Sequence, residues 1–138
     1  MQFTVKDWMI NLVVYVDPDM TVADALALMR RRYIHSLIVS KKTDYPEYGI
    51  LTSTDICDKI IAQGKNPATT RVREVCTAPL IAVQPAMTLQ ECAQVMHEHH
   101  FHHLPVEDEN GALVGMISAT DFLVAAESIG RAPGDKIV

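Results

Sequence analysis

The 138-residue chain has no excess of positive charge: 12 lysines and arginines stand against 17 acids, a formal net charge of −5. A protein that holds nucleic acid or an anionic membrane needs a basic surface to displace counterions, so neither partner is expected. The densest basic cluster, Arg30, Arg31 and Arg32, has the place of a solvated helix end, where cations complement the helix dipole. Cysteine is scarce. Cys57, Cys76 and Cys92 are odd in number and far apart, which speaks against a disulfide framework or a paired metal knuckle and leaves buried thiols as the expectation. Long apolar runs are missing as well. Leu12 to Val16 is five residues, against roughly 20 for a bilayer span. Met1 to Ile10 lacks the apolar core of a signal peptide, so a soluble, cytoplasmic protein is expected. GxSxG, HExxH and P-loop patterns are all absent, and no enzyme is expected.

What the chain does have is a folded composition, 49% hydrophobic and 21% charged, and an internal repeat. Displaced by 67 residues, Val5 falls on Val72, Val16 on Val83, Pro18 on Pro85, Met20 on Met87 and Thr21 on Thr88. Met29, His35, Leu37 and Val39 fall on Met96, His102, Leu104 and Val106. These nine identities exceed the roughly two that ordinary residue frequencies give by chance over such a stretch. Beyond the turn between Ser40 and Tyr48 the spacing becomes 66: Gly49 falls on Gly115, Thr54 on Thr120 and Asp55 on Asp121. A linker is placed around Gly64 to Thr70, which divides the chain into units at 1–66 and 67–138, the second with a loose or interface-forming tail from Gly130.

Each copy predicts the same elements. Thr21 with Asp24, and Thr88 with Glu91, have capping-box spacing, the first weaker because aspartate is short. Val22, Ala25, Leu26 and Met29, and Leu89, Cys92, Ala93 and Met96, follow at helical spacing. Two strands come next, joined in the second copy by Asn110-Gly111, the residues of a type I′ hairpin. A last helix opens at Thr54-Asp55 or Thr120-Asp121, and a short strand precedes each copy near Val13–Val16 or Leu80–Val83. The predicted fold class is α/β (α+β): two β-α-β-β-α units packed as one pseudo-symmetric module, since a unit of this size buries too little surface alone.

The most specific pattern is glycine, two apolar residues, a hydroxyl, two more positions and an aspartate: Gly49 to Asp55 and Gly115 to Asp121. The carboxylate can accept from both vicinal hydroxyls of a ribose. The strand-end hydroxyl and the amides of the helix N-terminus suit a phosphate. Apolar strand residues can sandwich a base. The same residues also serve a helix without any ligand, with Thr54 and Thr120 as N-caps and the aspartate in the first turn.

These elements, with the Val5-Lys6-Asp7-Trp8-Met9 opening and His103-Leu104-Pro105-Val106, resemble the CBS domain, a regulatory unit of about 60 residues, over roughly residues 5–130. The resemblance implies a tandem pair, a homodimer, no obligatory cofactor and an adenine nucleotide, NAD or S-adenosylmethionine as regulatory ligand in clefts between the units. It also implies a regulated partner protein acted on in trans. It assigns Asp121, Ser118, Met116, His103, Leu104, Pro105 and Ile81 to one site. It assigns Asp55, Thr52, Ile50, Ser36, Leu37 and Val14 to the other. The Asp121 site ranks first, because Ile38 stands where the family often has proline. Two further readings stay open: a ligand-free dimerisation scaffold, and a metal-responsive protein using the run His97 to His103, in which His97 and His100 have helical spacing. That run is also read as a helix end, with His102 or His103 as a phosphate or base contact.

Overall fold

The computed structural model describes residues 3–130. A short helix α1 (Val5–Trp8) is followed by strand β1 (Tyr15–Val16), helix α2 (Val22–Arg32) and strands β2 (Ser36–Val39) and β3 (Gly49–Thr52). Helix α3 (Ser53–Asp55) runs on as a π-helical stretch, Ile56–Ile61. Then come α4 (Val72–Val75), α5 (Leu89–His99), β4 (His103–Glu107), β5 (Leu113–Ser118) and α6 (Ala119–Gly130). The class is mixed α+β, as the sequence predicts.

The chain forms two compact units: one takes residues 13–80, the other residues 1–12 together with 81 onward. The predicted division at 1–66 and 67–138 follows the repeat; the packing instead exchanges the leading segments. Val5 N–H donates to Met87 O at 2.9 Å and Lys6 N–H to Pro85 O at 2.9 Å, and Val5 is buried with Val83, Leu104 and Ile117. Val72 N–H likewise donates to Met20 O at 2.9 Å and Arg73 N–H to Pro18 O at 2.8 Å, with Val72 and Val75 buried beside Val16 and Leu51. Equivalent helices α1 and α4 therefore each dock on the turn that opens the other copy. Both docking sites use what the repeat conserves, an apolar side chain and two donating amides.

In the unit of residues 13–80, β1 runs parallel to β2 and β2 antiparallel to β3, with Leu37 opposite Leu51 and Ile38 opposite Ile50. Side chains alternate between the faces of a strand. Leu37, Val39 and Leu51 thus face the core with α2 residues Val22, Ala25 and Met29. Ser36, Ile38, Ile50 and Thr52 share the opposite face. In the other unit β4 pairs antiparallel with β5, Leu104 opposite Ile117 and Pro105 opposite Met116. Leu104, Val106 and Ile117 join the core against α5, leaving His103, Pro105, Met116 and Ser118 on the second face. The predicted strand at Leu80–Val83 is reduced to a single parallel bridge, Val83 to Val106.

Local details follow the capping and turn chemistry. Thr21 accepts from Asp24 N–H at 3.2 Å without a returned bond, whereas Thr88 and Glu91 form the full reciprocal box. Both α2 and α5 end in a left-handed residue, Tyr33 (φ 55°) and His100 (φ 57°). The Asn110-Gly111 turn is not type I′, because only Gly111 has positive φ (+82°). Asp108 Oδ1 instead accepts from Asn110 and Ala112 N–H, both at 2.9 Å, and fixes a wider turn beside a β-bulge at Val106/Glu107. Of the cysteines only Cys92 is fully buried; Cys57 is exposed, on a π-helical stretch whose core contact is Ile60, which corrects the expectation of buried thiols. No helix among the described residues is long and apolar enough to cross a membrane. The predicted tail beyond Gly130 lies outside the described residues.

Candidate ligand site

The glycine-to-aspartate element forms a strand end turning into a helix in both copies. Its glycine admits another backbone. A Cβ on Gly115 would sit 2.6 Å from Ile10 O, and one on Gly49 would sit 3.1 Å from Thr77 O. These close approaches let Ile10 and Met116 exchange backbone hydrogen bonds at 2.8 and 2.9 Å, and Thr77 and Ile50 at 2.8 Å each. The main-chain groups of Ile50 and Met116 are consumed in this way. Only their side chains remain to contact a ligand.

The helix opens two residues earlier than predicted. Thr52 is the N-cap of α3, and Asp55 at the third helical position returns the box: Asp55 Oδ2 accepts from Thr52 N–H at 3.0 Å and lies 3.4 Å from the Thr52 hydroxyl. Asp121 does the same for Ser118, with Oδ2 accepting from Ser118 N–H at 2.8 Å and lying 3.3 Å from its hydroxyl. Thr54 and Thr120, expected as caps, sit exposed on the first turn. The reason is that the hydroxyl three residues before the aspartate is the capping partner, so this spacing is itself the box.

Beyond the cap the two carboxylates differ. Asp55 is buried, 6% exposed, and its Oδ1 accepts from Lys59 Nζ at 3.0 Å and from the Thr77 hydroxyl at 3.0 Å. Lys59 also donates to Val75 O at 2.9 Å. Asp121 is half-buried, and its Oδ1 meets no protein donor among the described residues. Lys59 and Thr77 were not singled out in the sequence. Lys59 was legible as an i+4 partner of Asp55; Thr77 was not, because its approach depends on the bridge to Ile50.

The other predicted residues divide by strand face. Ser36, Ile50 and Thr52 lie together on one face, as do His103, Pro105, Met116 and Ser118. The side chains of Leu37 and Leu104, each 1% exposed, belong to the cores and can offer a ligand only main chain. Successive residues of a strand point to opposite faces, so Leu37 and Leu104 turn away from the face of Ser36 and His103. Ile38, not predicted as a site residue, shares the face of Ile50. Val14 packs partly on the core, and its carbonyl accepts from Ile38 N–H at 2.8 Å; Ile81 is half-buried.

The histidine run separates as the helix ends. His97 lies on the last turn of α5, and left-handed His100 takes the chain out of it. His99 stacks on Phe101, with ring centroids 5.5 Å apart. His97, His100 and His102 line a groove of about 370 Å³ with Met96, Phe101 and Phe122. An equivalent groove of about 390 Å³ lies among Met29, Arg30, Tyr33, His35, Ser53 and Ile56. Neither includes Asp55 or Asp121. Among the described residues no three histidines, cysteines or acids gather in a metal-binding arrangement.

Comparison with known proteins gives a consistent result. The CBS domain family matches at residues 5–62 and again at 72–128. The chain is 33% identical over 132 residues to the CBS domain-containing protein YhcV of Bacillus subtilis, covering 94% of this chain and 91% of YhcV. It is 32% identical over 111 residues to protein MK0525 of Methanopyrus kandleri, covering 80% of this chain but only 56% of that protein's length. Among solved structures, a hexameric CBS-CP12 protein from bloom-forming cyanobacteria superposes with a TM-score of 0.85 at 30% identity, over 99% of this chain and 78% of the other. The CBS domain pair of MJ0100, in complex with 5′-methylthioadenosine and S-adenosylmethionine, shares the fold with a TM-score of 0.78 at 21% identity, over 94% of this chain and 99% of that one.

Proposed function

Because the chain belongs to the CBS domain family, we propose that it is a regulatory module that senses an adenosine compound and signals to a partner protein in trans, without catalysis and without an obligatory cofactor. The observation that supports this best is the Asp121 carboxylate: one oxygen is bonded to Ser118 and the other meets no protein donor among the described residues. Ser118 shares its strand face with His103, Pro105 and Met116. The vicinal hydroxyls of a ribose supply two donors to that oxygen, and the half-buried Met116 and Ile81 offer apolar surface to a flat base. A ribose 2′-phosphate would be repelled by Asp121, which disfavours NADP. The fold has capacity for such molecules, as the MJ0100 pair holds two adenosine derivatives.

Signalling would follow from differential affinity. A ligand shifts the conformational equilibrium only by as much as it prefers one state. The soluble, cytoplasmic setting and the homodimer expected from the sequence belong to this proposal, and YhcV, matched over nearly its whole length, carries the CBS name. The test is thermal melting with AMP, ADP, ATP, NAD and S-adenosylmethionine in turn. A ligand at 100 times its dissociation constant stabilises by about 2.7 kcal/mol, a rise of several degrees for a domain this size. Such a rise with one compound is the expected result. No rise with any of them at millimolar concentration rejects adenosine sensing in favour of a ligand-free scaffold.

A further inference from the structure

We infer that the two copies are not equivalent binders: Lys59 and Thr77 close the Asp55 carboxylate internally, so one adenosine ligand binds per chain, at Asp121. This rests on the adenosine-sensing reading and specifies which of its two candidate sites is used.

A carboxylate presents about four lone-pair positions. Asp55 has all of them engaged. Oδ2 meets the Thr52 N–H and hydroxyl, and Oδ1 meets the Lys59 ammonium and the Thr77 hydroxyl. A ribose could bond to Asp55 only by displacing a charge-assisted bond at a nearly buried site, and charge-assisted bonds are about twice as strong as neutral ones. Asp121 has the same two cap bonds and nothing on Oδ1 among the described residues. The difference is written in two positions of the repeat. Lys59 corresponds to Ala125, four residues after Asp121, and Thr77 corresponds to Ile10. Neither alanine nor isoleucine carries a donor. Ile10 nonetheless keeps the backbone pairing with Met116 that Thr77 makes with Ile50, so the two frames match and the donors alone differ.

The experiment is isothermal titration of the full chain with AMP, ATP and S-adenosylmethionine, read as equivalents bound per chain. The wild type is expected to saturate at about one equivalent. Asp121→Asn should weaken that binding by about 10- to 100-fold, the loss that goes with hydrogen bonds to a charged group. Lys59→Ala/Thr77→Ile, which gives the first copy the residues of the second, should gain a second equivalent. Two equivalents in the wild type, or unchanged affinity in Asp121→Asn, would overturn the inference while leaving adenosine sensing in place. So would a folded double variant that stays at one equivalent. Binding of none of the three compounds, in a preparation with a cooperative melt, rejects the adenosine reading on which the inference rests. The wild-type count depends on no variant, so a misfolded mutant does not leave the question open.

Discussion

Asp55 and Asp121 occupy one position of the repeat and do different work. Asp55 holds a part-buried ion pair with Lys59, whose side chain is 38% exposed, together with a helix cap and a tie to Thr77. Removing it strands a part-buried ammonium and three further donors. Asp55→Ala is therefore expected to cost about 2–4 kcal/mol, and Asp121→Ala about 1 kcal/mol, the usual value of a cap alone. Urea denaturation of both variants checks the order. The charged cluster that ties the longer turn of the first copy to α4 and to the turn before α2 behaves otherwise. Arg73 donates to Asp19 at 2.7 Å and to Asp44 at 3.0 Å, and Lys42 bridges Asp17 and Asp19 at 2.9 and 2.7 Å. The bonds from Arg73 and then Lys42 pull Asp19 down to about 2, and the bond from Arg73 lowers Asp44. A carboxylate lowered on folding adds stability above its unfolded pKa, near 4, and loses it as the pH falls through the folded value. The melting temperature of Arg73→Met should lie below the wild type at pH 7 in low salt, and the gap should close by about pH 2. A gap that persists unchanged at pH 2 would show that Arg73 acts through packing alone.

Among the elements, the turn from β-strand to helix carries most of the local information. Its glycine is required for close approach rather than for backbone freedom. A methyl group on Gly115 would meet the carbonyl oxygen of Ile10, which is backbone and cannot swing aside. Gly115→Ala should separate Ile10 from Met116, removing two backbone hydrogen bonds, and cost about 1–3 kcal/mol. Hydrogen exchange at the amides of Ile10 and Met116 should rise with it; protection retained at both would contradict this account. Helices α2 and α5 show the same economy, each opening on a threonine and closing on a left-handed residue one turn before the next strand. His100 takes that left-handed position, which is why the helical spacing of the histidine run does not survive beyond His99.

On the scale of the whole molecule, helix α6 leaves large apolar side chains exposed within its own unit. Leu123, Val124 and Ile129 of α6 are all more than half exposed. Large exposed apolar residues mark candidate association surfaces, and the similar CBS-CP12 structure is a hexamer. Leu123→Asp is expected to weaken self-association at least tenfold, measured by light scattering over a concentration series, with the monomer's circular dichroism unchanged. A wild type that stays monomeric throughout would remove the homodimer.

By itself the sequence determined the repeat, the mixed helix and strand order, the capping boxes and the pairing of Asp55 with Asp121, because each rests on spacing within a few residues or on identity at a fixed offset. Which copy each leading segment packs against was decided only by the tertiary structure: Val5 and Val72 present the same side chain and amides, so the repeat pattern does not choose between their two docking turns. The strand face of Leu37 and Leu104 was settled by cross-strand register. The state of the two carboxylates was settled there too, since Thr77 reaches Asp55 only through the bridge to Ile50. Donors brought together across 22 residues by a backbone bridge leave no periodic trace, whereas a hydroxyl three residues before an aspartate does.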